Sequence, residues 1–262
     1  MTSNCPESSA KTCLSLLAHL RELAERLCPV APPHCRLALL DLRRLSPLID
    51  QPEALAFLLS PTEANIFRQF RFGKRRLEWL GGRVAAKYCL HQLLAAGTAP
   101  LPWRRYAILA DIHGAPRLER AAADQRDVAI SISHSQGYAA ALACPAANGS
   151  CGIDIQHLTP KLAKVAERFA HADELDLIDP LLAPLTRLGL IWTAKEAVKK
   201  CLLADHASFF GSIRLTRIEH DQALSLWTAR CQTAQPAVMT ATVRIAGMDN
   251  HLVACATGDA YA

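Results

Sequence analysis

Between residues 212 and 256 the chain passes through one extended segment after another with no helical stretch between them. Residues 212–219, 223–229, 237–245 and 251–256 alternate β-branched, apolar and polar side chains, and short polar turns separate them. Strands joined so closely have no room for a helical crossover, so they must pair antiparallel. An all-parallel α/β fold is thereby excluded and an α+β class is predicted. Upstream, residues 128–133 and 138–143 flank the turn Gln136-Gly137 as two further strands, and residues 151–157 form a third after a breaker-rich turn at 145–150.

Helices fill the intervals. Ser60-Pro61-Thr62-Glu63 is a capping box with proline at the first helical position, which starts a helix through Phe70. A second helix is predicted over residues 74–95, two short ones over 160–182, and a longer one over 184–203. Residues 1–34 read as an N-terminal extension with a helix over 11–27, broken by Pro29, Pro32 and Pro33. Short strands are predicted at 36–42, 105–110 and 115–118. Residues 35–126 and 127–262 then form two halves with the same coarse plan, although no sequence repeat links them.

Composition narrows the function classes. Ten cysteines are scattered without a Cys-x-x-Cys pair, which argues against a zinc knuckle and for reduced core thiols in a cytoplasmic protein. No run approaches the roughly 20 apolar residues of a membrane span. The net charge of +5 favours an acidic partner or a phosphorylated ligand but falls short of a dedicated nucleic-acid binder, and aromatics for base stacking amount to only 6%.

Four constellations can carry chemistry. Gly152-Ile153-Asp154-Ile155-Gln156 places Asp154 and Gln156 on one face of a strand, where oxygen ligands suit a hard cation such as Mg²⁺; a solvated edge strand is the plainer reading. Trp192-Thr193-Ala194-Lys195-Glu196 with Lys199 and Lys200 puts Trp192, Glu196 and Lys200 on one helix face, for a metal and a phosphate or for ordinary Glu–Lys pairs. Ser131-Ile132-Ser133-His134-Ser135 offers hydroxyls and an imidazole at a strand end, either for a phosphate or for local hydrogen bonds. Arg76, Arg83 and Lys87 form a basic stripe beside Gly82 and Ala86, a phosphate grip or a solvated face.

In this order and spacing, Ser133-His134, Gly152-Ile153-Asp154-Ile155 and Trp192 to Ala197 with Lys200 resemble the signature series of the 4′-phosphopantetheinyl transferases of the surfactin-synthetase-activating type. The Ser60-Pro61 helix start, the Gly82-Arg83 to Lys87 helix and the Gly114-Ala115-Pro116 turn are similar to further family features. The resemblance spans residues 60–203. It implies a monomer, a pseudo-dimer of two similar antiparallel-sheet-plus-helix halves, with coenzyme A and Mg²⁺ between them. Asp154 and Glu196, with Gln156, would hold the metal. Lys200 and His134 would meet phosphates with Ser133 beside them, and Arg83, with Lys87 or Arg76, would hold the nucleotide end. Glu196, Lys200 and His134 would act in catalysis on an apo acyl or peptidyl carrier protein, docked near Phe70–Phe72.

Two positions depart from the family pattern. Gln156 stands where a glutamate is usual, and Ala115 stands where a phosphate-binding lysine is usual, leaving its job to His113, Arg117 or Arg120, or unfilled. A metal-dependent phosphohydrolase acting on coenzyme A or a nucleotide is the alternative, and a non-catalytic nucleotide or RNA binder resting on Lys74-Arg75-Arg76 is a further one.

Overall fold

A computed structural model describes residues 7–94, 102–119, 127–204, 210–234 and 236–258. The first half opens with α1 (Glu7–Arg26), β1 (Arg36–Asp41), α2 (Pro52–Leu58), α3 (Pro61–Gln69) and α4 (Gly73–Leu94). It continues through β2 (Ala107–Ala110), β3 (Pro116–Glu119), β4 (Val128–Ser135) and β5 (Tyr138–Pro145). The second half runs β6 (Cys151–His157), α5 (Lys161–Lys164), α6 (Ala172–Asp176) and α7 (Pro184–Leu202). It closes with β7 (Ile213–Asp221), β8 (Leu226–Thr233), β9 (Thr240–Met248) and β10 (His251–Gly258).

Every strand pairing is antiparallel, in sheets ordered β1-β5-β4, β6-β10-β9-β8-β7 and β2-β3. Hairpins β4–β5 and β9–β10 turn through two-residue loops that demand positive φ, supplied by Gln136 (38°) and Gly137 (88°) in one and by Asp249 (52°) in the other. The β4–β5 hairpin corrects the division at 126/127. Its strand β5 pairs with β1 from Arg36↔Ala143 to Asp41↔Tyr138, so residues 128–145 belong to the first sheet. Turn chemistry alone revealed the hairpin but not its neighbour.

Alternation along β1 and β6 serves two cores. Ala38 and Leu40 point to a core under α4, while Leu37 and Leu39 point to a core shared by the two sheets. Ile153 and Ile155 enter the same shared core, and α7 covers the outer face of the second sheet through Leu190, Ala194, Ala197 and Val198. The extension is integrated: Leu16 and Leu20 join the first core, and Leu23, Leu27 and Val30 the shared one. No described helix is long and apolar enough to cross a membrane.

The edge strands β4 and β6 meet in an unusual way. Ser131, Ser133 and Ser135 of β4 accept hydrogen bonds through their hydroxyl oxygens from the backbone N–H groups of Ile153 (3.0 Å), Ile155 (3.3 Å) and His157 (3.0 Å). Edge donors that would otherwise go unpaired are satisfied by side chains.

The duplicated plan is written in buried charge. In the first half Glu63 accepts from Ser60 N, Ile108 N and Lys87 Nζ, and Lys87 also donates to Leu58 O. In the second, Glu174 accepts from His171 N, Leu215 N and Lys195 Nζ, and Lys195 also donates to Phe169 O. All four charged side chains are fully buried. This wiring matches Lys87 to Lys195, hence Tyr88 to Glu196 and Gln92 to Lys200. The hairpin registers match Asp41 to His157, hence Ala38 to Asp154 and Arg36 to Gly152.

Candidate functional site

β6 presents Asp154 to α7, and the two elements touch closely because Gly152 has no side chain. A Cβ there would lie 1.9 Å from Ala197 O. Asp154 is 5% exposed, its Oδ1 accepting from Ser133 Oγ (2.9 Å) and Lys200 Nζ (2.8 Å). Lys200 Nζ also donates to Ser133 Oγ and Ile153 O, each at 3.0 Å. The second oxygen, Asp154 Oδ2, is buried without a protein partner. Burial, and then the negative charge of Asp154, push the Glu196 carboxyl above its ordinary range. Two acids whose charges repel, with one buried oxygen unsatisfied, form a place that gains from a cation.

Among the described residues no group of three or more His, Cys, Asp or Glu side chains is arranged as a metal cage. A hard divalent ion held by two carboxylates and completed by water and phosphate oxygens needs no such cage, so the donor set fits Mg²⁺. Gln156 stands apart. Its amide nitrogen donates to His157 O at 2.7 Å, and it lines a cavity of about 300 Å³ with Ser135, His157, Lys161 and Trp192.

His134 lies beside this centre, Nδ1 3.6 Å from Glu78 Oε1, and burial lowers its pKa, which favours a neutral imidazole that can donate one hydrogen bond. Ser133 is 7% exposed and bonded to Asp154, so it steadies the aspartate instead of reaching outward.

The basic stripe is only partly available, because each cation has protein partners. Arg76 stacks over Phe67 (4.7 Å) and donates to Asp50 (3.0 Å) and Ile49 O (2.9 Å). Arg83 stacks over Trp79 (4.5 Å), donates to Ile108 O, and is lowered by burial to about 10. Lys87 has no exposed surface and is held by Glu63 at 2.6 Å, so the structure does not bring it to a ligand. Helical spacing had grouped these three but cannot tell an outward from an inward lysine. At the turn of Ala115, Asp111 accepts from His113 N, Ala115 N and Arg117 Nε. Arg117 is thereby tied locally, while Arg120 and Ala95 lie outside the described residues.

Sequence reasoning missed Gly152 as a contact, Glu78 as the neighbour of His134, and Glu174 as the partner of Lys195. Only the last left a signal, in the spacing of His171 and Glu174, whose carboxylate accepts from His171 N at the start of α6.

Residues 150–256 match the family model of the 4′-phosphopantetheinyl transferase superfamily. The holo-[acyl-carrier-protein] synthase of Halalkalibacterium halodurans is 30% identical over 105 residues, 39% of this chain and 86% of that protein. Its counterpart from Bacillus pumilus is 32% identical over 107 residues, 40% of this chain and 88% of that protein. Among solved structures, a holo-(acyl-carrier-protein) synthase from Bacillus anthracis in complex with CoA (3′,5′-ADP) is similar at 25% identity and a TM-score of 0.38, covering 43% of this chain and 94% of that one. The matched stretch is the one that carries Asp154, Glu196 and Lys200, and through it the chain belongs to the 4′-phosphopantetheinyl transferase superfamily.

Proposed function

We propose that the protein transfers the 4′-phosphopantetheine arm of coenzyme A to a serine hydroxyl of an apo acyl or peptidyl carrier protein, releasing 3′,5′-adenosine bisphosphate. The carrying observation is the buried, unpartnered Asp154 Oδ2 beside a half-buried acid, Glu196, with the Lys200 ammonium on the opposite oxygen. Relatives named as holo-acyl-carrier-protein synthases support the reaction class. They match one half of this chain, and the duplicated Glu–Lys wiring supports the surfactin-type reading, in which one chain carries both halves.

Asp154 and Glu196 would hold Mg²⁺, which supplies charge neutralisation for a pyrophosphate as its anhydride bond breaks. Lys200, whose three N–H groups are taken by Asp154 Oδ1, Ser133 Oγ and Ile153 O, lends its positive charge to the phosphates, and His134 stands beside them with Glu78 at its Nδ1. Glu196 takes the proton of the attacking serine. Ser133 and Lys200 together hold Asp154 in one rotamer, so the metal side of the cleft is set before ligands arrive. Arg83, half-sheltered by Trp79, is the nearest candidate for the nucleotide end. Phe72, 76% exposed between Arg71 and Lys74, offers an apolar and basic landing surface for an acidic carrier.

Incubating the protein with coenzyme A, Mg²⁺ and a panel of apo-carriers, read by intact mass, tests this reading. A carrier that gains the phosphopantetheine mass is the expected result. Free phosphopantetheine with unmodified carrier would establish a phosphohydrolase instead.

A further inference from the structure

Why the second half carries a buried lysine–glutamate pair is not explained by the transfer chemistry, since neither Lys195 nor Glu174 reaches the cleft. We propose that this pair is the positioning device of the site: it sets the rotation of α7 about its axis, and so brings Glu196 and Lys200 to Asp154.

Three observations carry the inference. First, Glu174 is saturated. Its Oε2 accepts from His171 N (3.0 Å) and Lys195 Nζ (2.8 Å), and its Oε1 accepts from Leu215 N (2.8 Å). One carboxylate thus ties the start of α6, the start of β7 and the middle of α7. Lys195 is fixed a second time by Phe169 O at 2.6 Å. Second, Lys195 precedes Glu196 directly on α7, so a rotation of the helix that moves one side chain moves the other. The distance between α7 and β6 is already set by Gly152 against Ala197 O. Distance and rotation are therefore fixed by separate contacts, and together they determine where Glu196 and Lys200 stand. Third, a buried ion pair is a poor stabiliser, since apolar residues of like volume hold a core as well. What an apolar pair cannot supply is direction.

The first half contains the matching pair, Glu63 and Lys87, with Tyr88 and Gln92 at the places of Glu196 and Lys200. It is the internal control. In the full chain, Glu174→Leu/Lys195→Met should leave the protein folded, weaken Mn²⁺ binding in the presence of coenzyme A by about 10- to 100-fold, and speed amide exchange at Ile153 and Ile155. The kinetic arm rests on the transferase reading: kcat falls by a similar factor while KM for the carrier stays within about twofold. Glu63→Leu/Lys87→Met acts on the helix that carries Arg83, so it is read without coenzyme A: Mn²⁺ affinity and exchange at Ile153 and Ile155 should stay within about twofold of the parent.

Parental Mn²⁺ affinity and exchange in the Glu174→Leu/Lys195→Met protein would overturn the proposal. So would equal losses in the two double variants, which would make both pairs plain architecture. Should the double variant fail to fold, Glu174→Gln/Lys195→Met, which keeps the volume and leaves no buried charge, is read in the same way with the same ordering. If the parent proves unable to modify any carrier, the transferase reading fails, and Mn²⁺ affinity and exchange still decide the role of the pair.

Discussion

In the second half α7 brings Glu196 and Lys200 to Asp154, whereas at the matching places of the first half α4 carries Tyr88 and Gln92 above Ala38. The frame is the same in both: a first strand at the sheet edge, a long helix locked by a buried Glu–Lys pair, and a returning hairpin. The surroundings differ. Beside β6 the serines of β4 close the gap, but beside β1 the place of Ser131 is taken by Arg244, whose guanidinium reaches Pro29 O (3.5 Å) and Ala31 O (3.4 Å). There the extension fills the second gap and leaves a cavity of about 520 Å³ lined by Arg21, Glu25, Cys35, Arg36 and Tyr88. A shared fold supplies positions, and only the residues placed there supply chemistry.

The contrast can be broken at several points. Asp154→Ala and Glu196→Ala should each cut carrier modification by about 10²- to 10³-fold or more, measured as initial rate by intact mass. Tyr88→Phe, at the place of Glu196, should change it less than twofold. Next in size is Gly152→Ala, because the new methyl meets a backbone carbonyl that cannot step aside. A loss of about 3 kcal/mol is expected in denaturant unfolding, against a change within about 0.5 kcal/mol for the exposed Arg36→Ala at the matching place.

Ser133→Ala removes a donor to Asp154 and an acceptor for Ile155 N and Lys200 Nζ. It should cost about 1–3 kcal/mol and lower Mg²⁺ affinity in a calorimetric titration. A pH effect follows from Glu196. Its carboxyl holds a proton more tightly in the folded state than at the ordinary value of 4.5, so ionising it disfavours the fold. The metal-free protein should lose thermal stability as pH rises from 4.5 through the raised value. Glu196→Gln should flatten that slope and raise the midpoint at neutral pH; an unchanged slope would mean the acid is solvated. Smallest of all, Gln156→Glu should leave the rate within about twofold, since the side chain is turned toward His157 O and its own cavity.

Much of this contrast was legible in the residues, and the remainder was not for definite reasons. The capping box at Ser60 and Glu63 is local, and both of its hydrogen bonds form as predicted. Strand periodicity placed Ile153 and Ile155 inward correctly. The same periodicity assigned Asp154 to an outer face that α7 in fact covers, because burial of a strand's second face depends on what packs there. Lys87 and Lys195 sit at helical positions that read as basic surface, yet each finds an acid more than 20 residues upstream. Long-range pairing of that kind leaves no periodic trace. The partner of the β4–β5 hairpin was hidden for the same reason.

A backbone ladder persists through almost any substitution, proline excepted, whereas a contact made by hydroxyls lasts only as long as the serines do. Since β4 and β6 meet through Ser131, Ser133 and Ser135, the joint between the halves is encoded residue by residue. Evolution can therefore alter the width and tilt of the mouth by single codon changes while each sheet stays intact. That freedom gives descendants of one scaffold a gradual route to ligands of different shape.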